Sequence, residues 1–288
     1  MPQNVKPADV RAGAETGAFP GVPLTLEGSS VLHQMYRVRW PAWKALELGV
    51  RREIVRDAAL ALEGMERSAV YSLLGHKGDL LLLHFRESFD ELNRVELRLA
   101  QLRLWDYLEP ASSYLSVVEL GLYDSTVKLY ATLAARGVQP HSPEWNQAVA
   151  ETLAMQRKAM QSRLAPEIPS QRYLCFYPMD RKRGEDKNFY TVPIEERGRM
   201  MREHGLVGRR YADEVQQIIS GSIGFDDWEW GVDLFAPDPL VFKKLIYEMR
   251  FDEVSAVYAL FGTFYVGLLV APEQLGALLV AGELPEGV

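Results

Sequence analysis

The chain has 288 residues, 48% of them hydrophobic and 25% charged, which allows one large domain or two ordinary ones with a substantial core. A net charge of −7 and a pI near 5.4 exclude a general affinity for nucleic acid or anionic lipid, so an anionic ligand has to meet a local basic site. A single cysteine, Cys175, rules out an intrachain disulfide and a multi-cysteine metal cage, and no apolar run is long enough to span a membrane, so a reducing cytoplasm is the expected compartment.

Residues 1–30 read as a tail rich in Ala, Gly and Pro, without the apolar stretch of a secretory signal. From Val31, "VLHQMYRVRW" predicts a strand, and the segment headed by Pro41 a long amphipathic helix. "SAVYSLLG" and "GDLLLLHFR" predict a hairpin, "SFDELNRVELRLAQLRL" a helix and "SSYLSVVEL" a strand, giving β-α-β-β-α-β over 31–120. Residues 121–168 read as a helical connection. Over 169–272 the order repeats: strand "RYLCFYPM", a helical region from Pro193 to Ile219, the strand pair "SGSIG" and "EWGVDLFA", helix "PDPLVFKKLIYEMRF" and a last strand "AVYALFGTFYVGLLV", with 273–288 as a closing tail. The expected fold class is therefore α+β, with two ferredoxin-like halves whose sheets cover each other or enclose a ligand.

Several chemistry-bearing motifs are missing: a phosphate loop, a G-x-S-x-G elbow, H-E-x-x-H and a dinucleotide G-x-G-x-x-G. Among the five histidines no two share a helical turn, which leaves a helical zinc pair unsupported. The acidic stretch "FDDWEW" reads as turn chemistry at Asp226 and Asp227, with a divalent cation as the alternative. His204 falls on one helical face with Met201. It is either a satisfied core histidine or the one axial ligand that haem iron requires, and Gly205 beside it could let a flat macrocycle approach. Tyr177 ends an apolar strand on the same face as Cys175 and Met179, ahead of the basic run "DRKR". That run is either a solvated loop or the cationic rim of a pocket for an acid-bearing ligand.

The stretches "FYPMDRKR", "EERGRMMREHGLVGRRYADEVQQIISGSIGFDDWEWGVDLFA" and "FKKLIYEMRFDEVSAVYALFGTFYVG" closely resemble the coproheme decarboxylases of the chlorite dismutase superfamily, and "LLGHKGDLLLLHFRESFDELNRVELRL" agrees more loosely. The resemblance implies two ferredoxin-like halves forming an α/β barrel, a ring of five subunits, and iron porphyrin bound in the carboxy-terminal half. It assigns His204 as the axial iron ligand, Tyr177 as the catalytic tyrosine, and the positions from Tyr177 through Pro178, Met179, Asp180 and Arg181 to the propionate region. Gln217 takes the distal position, where true chlorite dismutases carry arginine, and Arg163 and Ser255 correspond to polar groups that hold propionates. Arg181 stands where some relatives have Lys, and Phe189 where some have Trp.

The activity so implied is hydrogen-peroxide-dependent decarboxylation of two propionates of iron coproporphyrin III (coproheme), with haem b as product and the porphyrin as both substrate and redox centre. Tyr177, oxidised to a radical, would take hydrogen from the propionate side chain, while Arg163, Arg181 and Ser255 fix the carboxylates. The expected partners are coproheme and peroxide, a transient contact with the ferrochelatase supplying coproheme, and further copies of the chain; neither nucleic acid nor a membrane span is expected. The rival readings are a chlorite dismutase or weak haem peroxidase, against which Gln217 speaks, and a non-catalytic haem carrier or sensor, which has no need of an oxidisable phenol.

Overall fold

In the computed structural model, which describes residues 20–284, strand β1 runs over Thr25–Val38. It begins six residues before the expected Val31, and Leu26, Ser29 and Ser30 are buried, so the latter part of the expected 1–30 tail is structural; residues 1–19 lie outside the described residues. The helix headed by Pro41 divides into α1 (Trp40–Lys44) and α2 (Leu48–Glu63), because Glu47 between them takes extended backbone at φ −55° and ψ 142°. Then follow β2 (Ser68–Leu73), β3 (Leu80–Arg86), α3 (Phe89–Ala100) and β4 (Leu108–Gly121). The Ser88 side chain caps α3 by accepting from the Glu91 N–H at 3.3 Å. The connection is helical as expected: α4 (Tyr123–Ala135), α5 (Pro143–Ala159) and α6 (Gln161–Leu164).

The second half holds β5 (Tyr173–Arg181), α7 (Ile194–Arg209), β6 (Gln216–Gly221), β7 (Trp230–Ala236), α8 (Leu240–Met249), β8 (Ala259–Phe261) and β9 (Tyr265–Val270). Two expectations change here. The helical region stops at Arg209, and Gln216–Ile219 form strand, with Gln217 opposite Leu234 of β7. The last strand is also broken. Residues 254–258 are helical, and β8 and β9 take separate stretches of the same β5 edge, at Met179–Arg181 and Tyr173–Phe176.

Strand order within the first half is β4-β1-β3-β2 and within the second β9-β5-β7-β6, so each half has the ferredoxin-like arrangement. Pairing of β4 with β6 and of β2 with β9 joins the halves and closes an antiparallel barrel. Closure buries both faces of most strands, which explains the unbroken run of four leucines in β3: Leu81, Leu83 and Phe85 fill the barrel, while Leu80 and Leu82 pack beneath the outer helices. Inside the barrel, His33 of β1 meets Asp233 of β7 at 2.9 Å, both fully buried, and ties the halves together. The expected closing tail is also partly structural. Leu275 and Leu279 are buried with α2, and the Trp43 indole donates to the Leu279 carbonyl at 2.8 Å. Among the described residues, no helix is long and apolar enough to cross a membrane.

Candidate functional site

Strand alternation sets the first wall. On β5, Leu174 and Phe176 enter the barrel, whereas Cys175, Tyr177, Met179 and Arg181 face outward, and the first three join Val207 of α7 and Val241, Phe242 and Leu245 of α8 in one apolar cluster. Tyr177 is buried, its ring stacked on Phe264 at 4.5 Å and tilted against Phe261 at 5.7 Å. Burial, and next Cys175, raise the phenol, with Arg181 and Arg250 opposing, so it keeps its proton. Pro178 and Asp180 alternate to the other face: Pro178 lies by Gly262 and Trp228, and the Asp180 carboxylate accepts from the Glu229 N–H at 2.8 Å. These two can serve the outer face only through their main chain.

Helix α7 supplies the second wall. Arg197, Met201 and His204 stand at i, i+4 and i+7, one stripe of the helix. Met201 reaches Arg181, sulfur to guanidinium, at 3.8 Å, which brings the basic end of β5 against this stripe. Arg181 is only 7% exposed; its side chain also reaches the Val254 carbonyl at 3.5 Å, and its guanidinium lies 5.4 Å over Phe189.

The turn after α8 completes the setting. His204 Nδ1 lies 2.9 Å from the Asp252 carboxylate, with side chains 22% and 6% exposed. Asp252 also accepts from the Ser255 N–H at 2.8 Å and from its hydroxyl at 3.2 Å. Burial alone would raise this carboxyl, but the His204 and Ser255 bonds outweigh it and hold it below its ordinary value. A carboxylate fixed in this way accepts from Nδ1–H, orients the imidazole and leaves the Nε2 lone pair free; metal-binding histidines commonly have such a carboxylate partner. Ser255 is thus placed beside His204, its hydroxyl donating to Asp252 and lying 3.4 Å from His204 Nδ1.

Gln217 shares the outer face of the sheet with this set, because its register partner Leu234 belongs to the outward cluster. Gly208 of α7 lies against it: a Cβ there would stand 4.0 Å from Gln217 Oε1 and 3.3 Å from the Met249 methyl. The structure therefore brings Tyr177, Met179, Arg181, His204, Gln217 and Ser255 to one side of the second half. Arg163 belongs to another element, the last helix of the connection. That residue is exposed on α6, which packs on β1 and β4 so closely that a Cβ on Gly28 would collide with the Leu164 carbonyl. Among the described residues no ion pair ties Arg163 to the cluster.

Sequence reasoning passed over Asp252, Arg197 and Arg250. Arg250, whose guanidinium lies 4.0 Å over Phe261, brings another cation near Tyr177. Helical spacing from His204 was the one signal for Arg197. Asp226 fulfils its turn reading: its carboxylate accepts from the Leu115 N–H at 3.0 Å and the Asp227 N–H at 2.8 Å.

The sequence profile of the chlorite dismutase family matches residues 51–270. The chain belongs to the chlorite dismutase family. A haem-binding protein from Thermus thermophilus is 39% identical and superposes with a TM-score of 0.74, over 91% of this chain and 98% of that one. A mutant chlorite dismutase from Candidatus Nitrospira defluvii shares 15% identity with a TM-score of 0.66, over 88% and 96%, a likeness of fold. In this member of the chlorite dismutase family, the matched region holds Tyr177, Arg181, His204, Gln217 and Ser255, together with Asp252.

Proposed function

We propose that the chain binds iron coproporphyrin on the outer face of its second half and removes two of its propionate carboxyl groups with hydrogen peroxide, giving haem b. The observation that carries this reading is Tyr177: a buried, protonated phenol on the same strand face as the buried cation Arg181, opposite the helix that holds His204. Relationship to a haem-binding protein at 39% identity supports the porphyrin.

The residues present fit such a group. His204 has one ring nitrogen engaged by Asp252 and the other available, and the basic side chains Arg181 and Arg250 border the phenol. When bound, the iron porphyrin supplies the redox chemistry with peroxide. His204 would hold the iron, with Asp252 fixing the ring's orientation. Arg181 offers a propionate the planar fork of a guanidinium, at a site from which burial excludes most water. Tyr177 keeps its hydrogen at Oη and would be the oxidisable side chain that acts on that propionate; Phe261 and Phe264 fix its ring. Gln217 is neutral and gives no fixed positive charge to an anionic oxidant.

The test is comparative. Given iron coproporphyrin and peroxide, the purified protein yields singly and then doubly decarboxylated porphyrin; given haem and chlorite, it releases no substantial dioxygen. Sustained dioxygen release without decarboxylation would make it a chlorite-consuming enzyme instead.

A further inference from the structure

Two buried guanidiniums in this site have no carboxylate partner. Arg181 is 7% exposed and Arg197 4%, yet among the described residues neither forms an ion pair. Arg197 donates to the Gly21 carbonyl, while among the described residues its Nε has no partner. Arg199, two residues along the same helix, shows what an ordinary arginine of this chain does: at the surface it pairs with Glu196, Glu203 and Glu253 at 2.6, 2.8 and 2.5 Å. Among the described residues, three carboxylates pair with an exposed cation and none with two buried ones, where an unpaired charge costs most.

Both buried cations converge on the same groups. Their guanidinium carbons lie 5.4 Å (Arg181) and 5.8 Å (Arg197) from the Phe189 ring. Tyr123 packs with Met201 against the same Phe189 cluster, and burial raises its phenol while first Arg197 and then Arg181 oppose it. The neighbouring carboxylates are engaged elsewhere. Glu229 accepts from the Arg181 main-chain N–H at 2.9 Å and meets the exposed Arg183 at 3.5 Å, Glu119 accepts from the Trp230 indole at 3.3 Å, and Asp252 holds His204.

We infer that Arg197 is a binding residue, and that with Arg181 and Tyr123 it forms a cradle for a carboxylate of the bound ligand. This inference rests on the reading of the site as one for a carboxylate-bearing tetrapyrrole. Arg197 shares its helical stripe with His204, roughly 10 Å away along the axis at 1.5 Å per residue. Arg181 stands on the same strand face as Tyr177, and we assign to this cradle one of the carboxylates that the reaction removes. The product lacks it.

The experiment compares affinities of the apo-protein for iron coproporphyrin, with four carboxylates, and iron protoporphyrin, with two, in the wild type, Arg197→Met and Arg197→Lys. Arg197→Met should lose tenfold or more for the tetracarboxylate and clearly less for the dicarboxylate, so that the ratio of the two affinities collapses. Arg197→Lys, which keeps the charge, should retain most of that ratio. If the wild type binds neither porphyrin, the functional reading itself fails. If the wild type binds and Arg197→Met weakens both porphyrins equally, or neither, Arg197 serves only to tie Gly21 to the helix and the inference is overturned. A variant that unfolds is replaced by Arg197→Gln, read by the same ratio.

Discussion

Replacing Asp252 with alanine removes an acceptor on which three hydrogen bonds end, from His204 Nδ1 at 2.9 Å, the Ser255 N–H at 2.8 Å and the Ser255 hydroxyl at 3.2 Å. His204 is 22% exposed, so water can take over the freed ring N–H, and the cost to the fold should stay near 1–2 kcal/mol rather than the sum of three charge-assisted bonds. Ligand binding suffers more, because the imidazole loses the partner that fixes its orientation and makes Nε2 a better donor; removal of such partners lowers metal affinity about 10–100-fold. Asp252→Asn keeps an acceptor without the charge and should fall between wild type and Asp252→Ala. The assay is a titration of apo-protein with ferric porphyrin followed by visible absorption, alongside denaturant unfolding of each variant. Affinity within twofold of wild type in Asp252→Ala, while His204→Ala abolishes the axial-ligand spectrum, would show that Asp252 does not orient the ring.

Tyr177→Phe should bind iron coproporphyrin with a loss of no more than ~1 kcal/mol, since the Phe261 and Phe264 contacts remain, yet form no decarboxylated porphyrin; haem b at the wild-type rate by mass spectrometry would remove Tyr177 from the chemistry. The Cys175 thiol, pushed up to about 12 first by burial and then by Asp233, should stay unmodified by a thiol reagent at pH 8 until denaturant is added, and rapid labelling of the folded protein would contradict its placement. Burial, reinforced by Arg86 and His33, pushes His84 down from 6.5 to about 3. The unfolded chain therefore takes up a proton that the folded one refuses, so this contribution is complete above pH 6.5 and is lost, up to several kcal/mol, as pH falls toward about 3. Urea unfolding across that interval should show His84→Asn with a flatter pH dependence than wild type, and parallel curves would refute the assignment.

The fold was legible wherever local pattern and tertiary pairing agree. The β-α-β-β-α-β order of both halves follows from turn residues and periodicity, and Tyr177 was placed on the correct face because alternation along "LCFYPM" survives in the barrel. Gln217 was assigned to helix because "YADEVQQII" carries no glycine or proline to stop one; its strand identity comes from pairing with β7, which local sequence does not encode. The early start of β1 was hidden by "GVPLTLEGSS", whose small residues suit a loop but also let α6 approach at Gly28. At the site, His204 and Tyr177 carry their chemistry in their own side chains and could be singled out directly. Asp252 and Arg197 could not, since their significance lies in what they face: one takes His204, and the other meets no carboxylate among the described residues.

Mass analysis of the porphyrin during stepwise addition of hydrogen peroxide to the iron coproporphyrin complex tests the central claim most directly. Turning a propionic acid side chain into a vinyl group releases one CO2, two protons and two electrons, and one peroxide takes up those protons and electrons to become two waters. The account predicts a species that has lost one CO2, then a second that has lost two and matches haem b, complete at about two equivalents of peroxide. Consumption of peroxide with the four carboxyl groups intact, or with bleaching of the porphyrin alone, would contradict it.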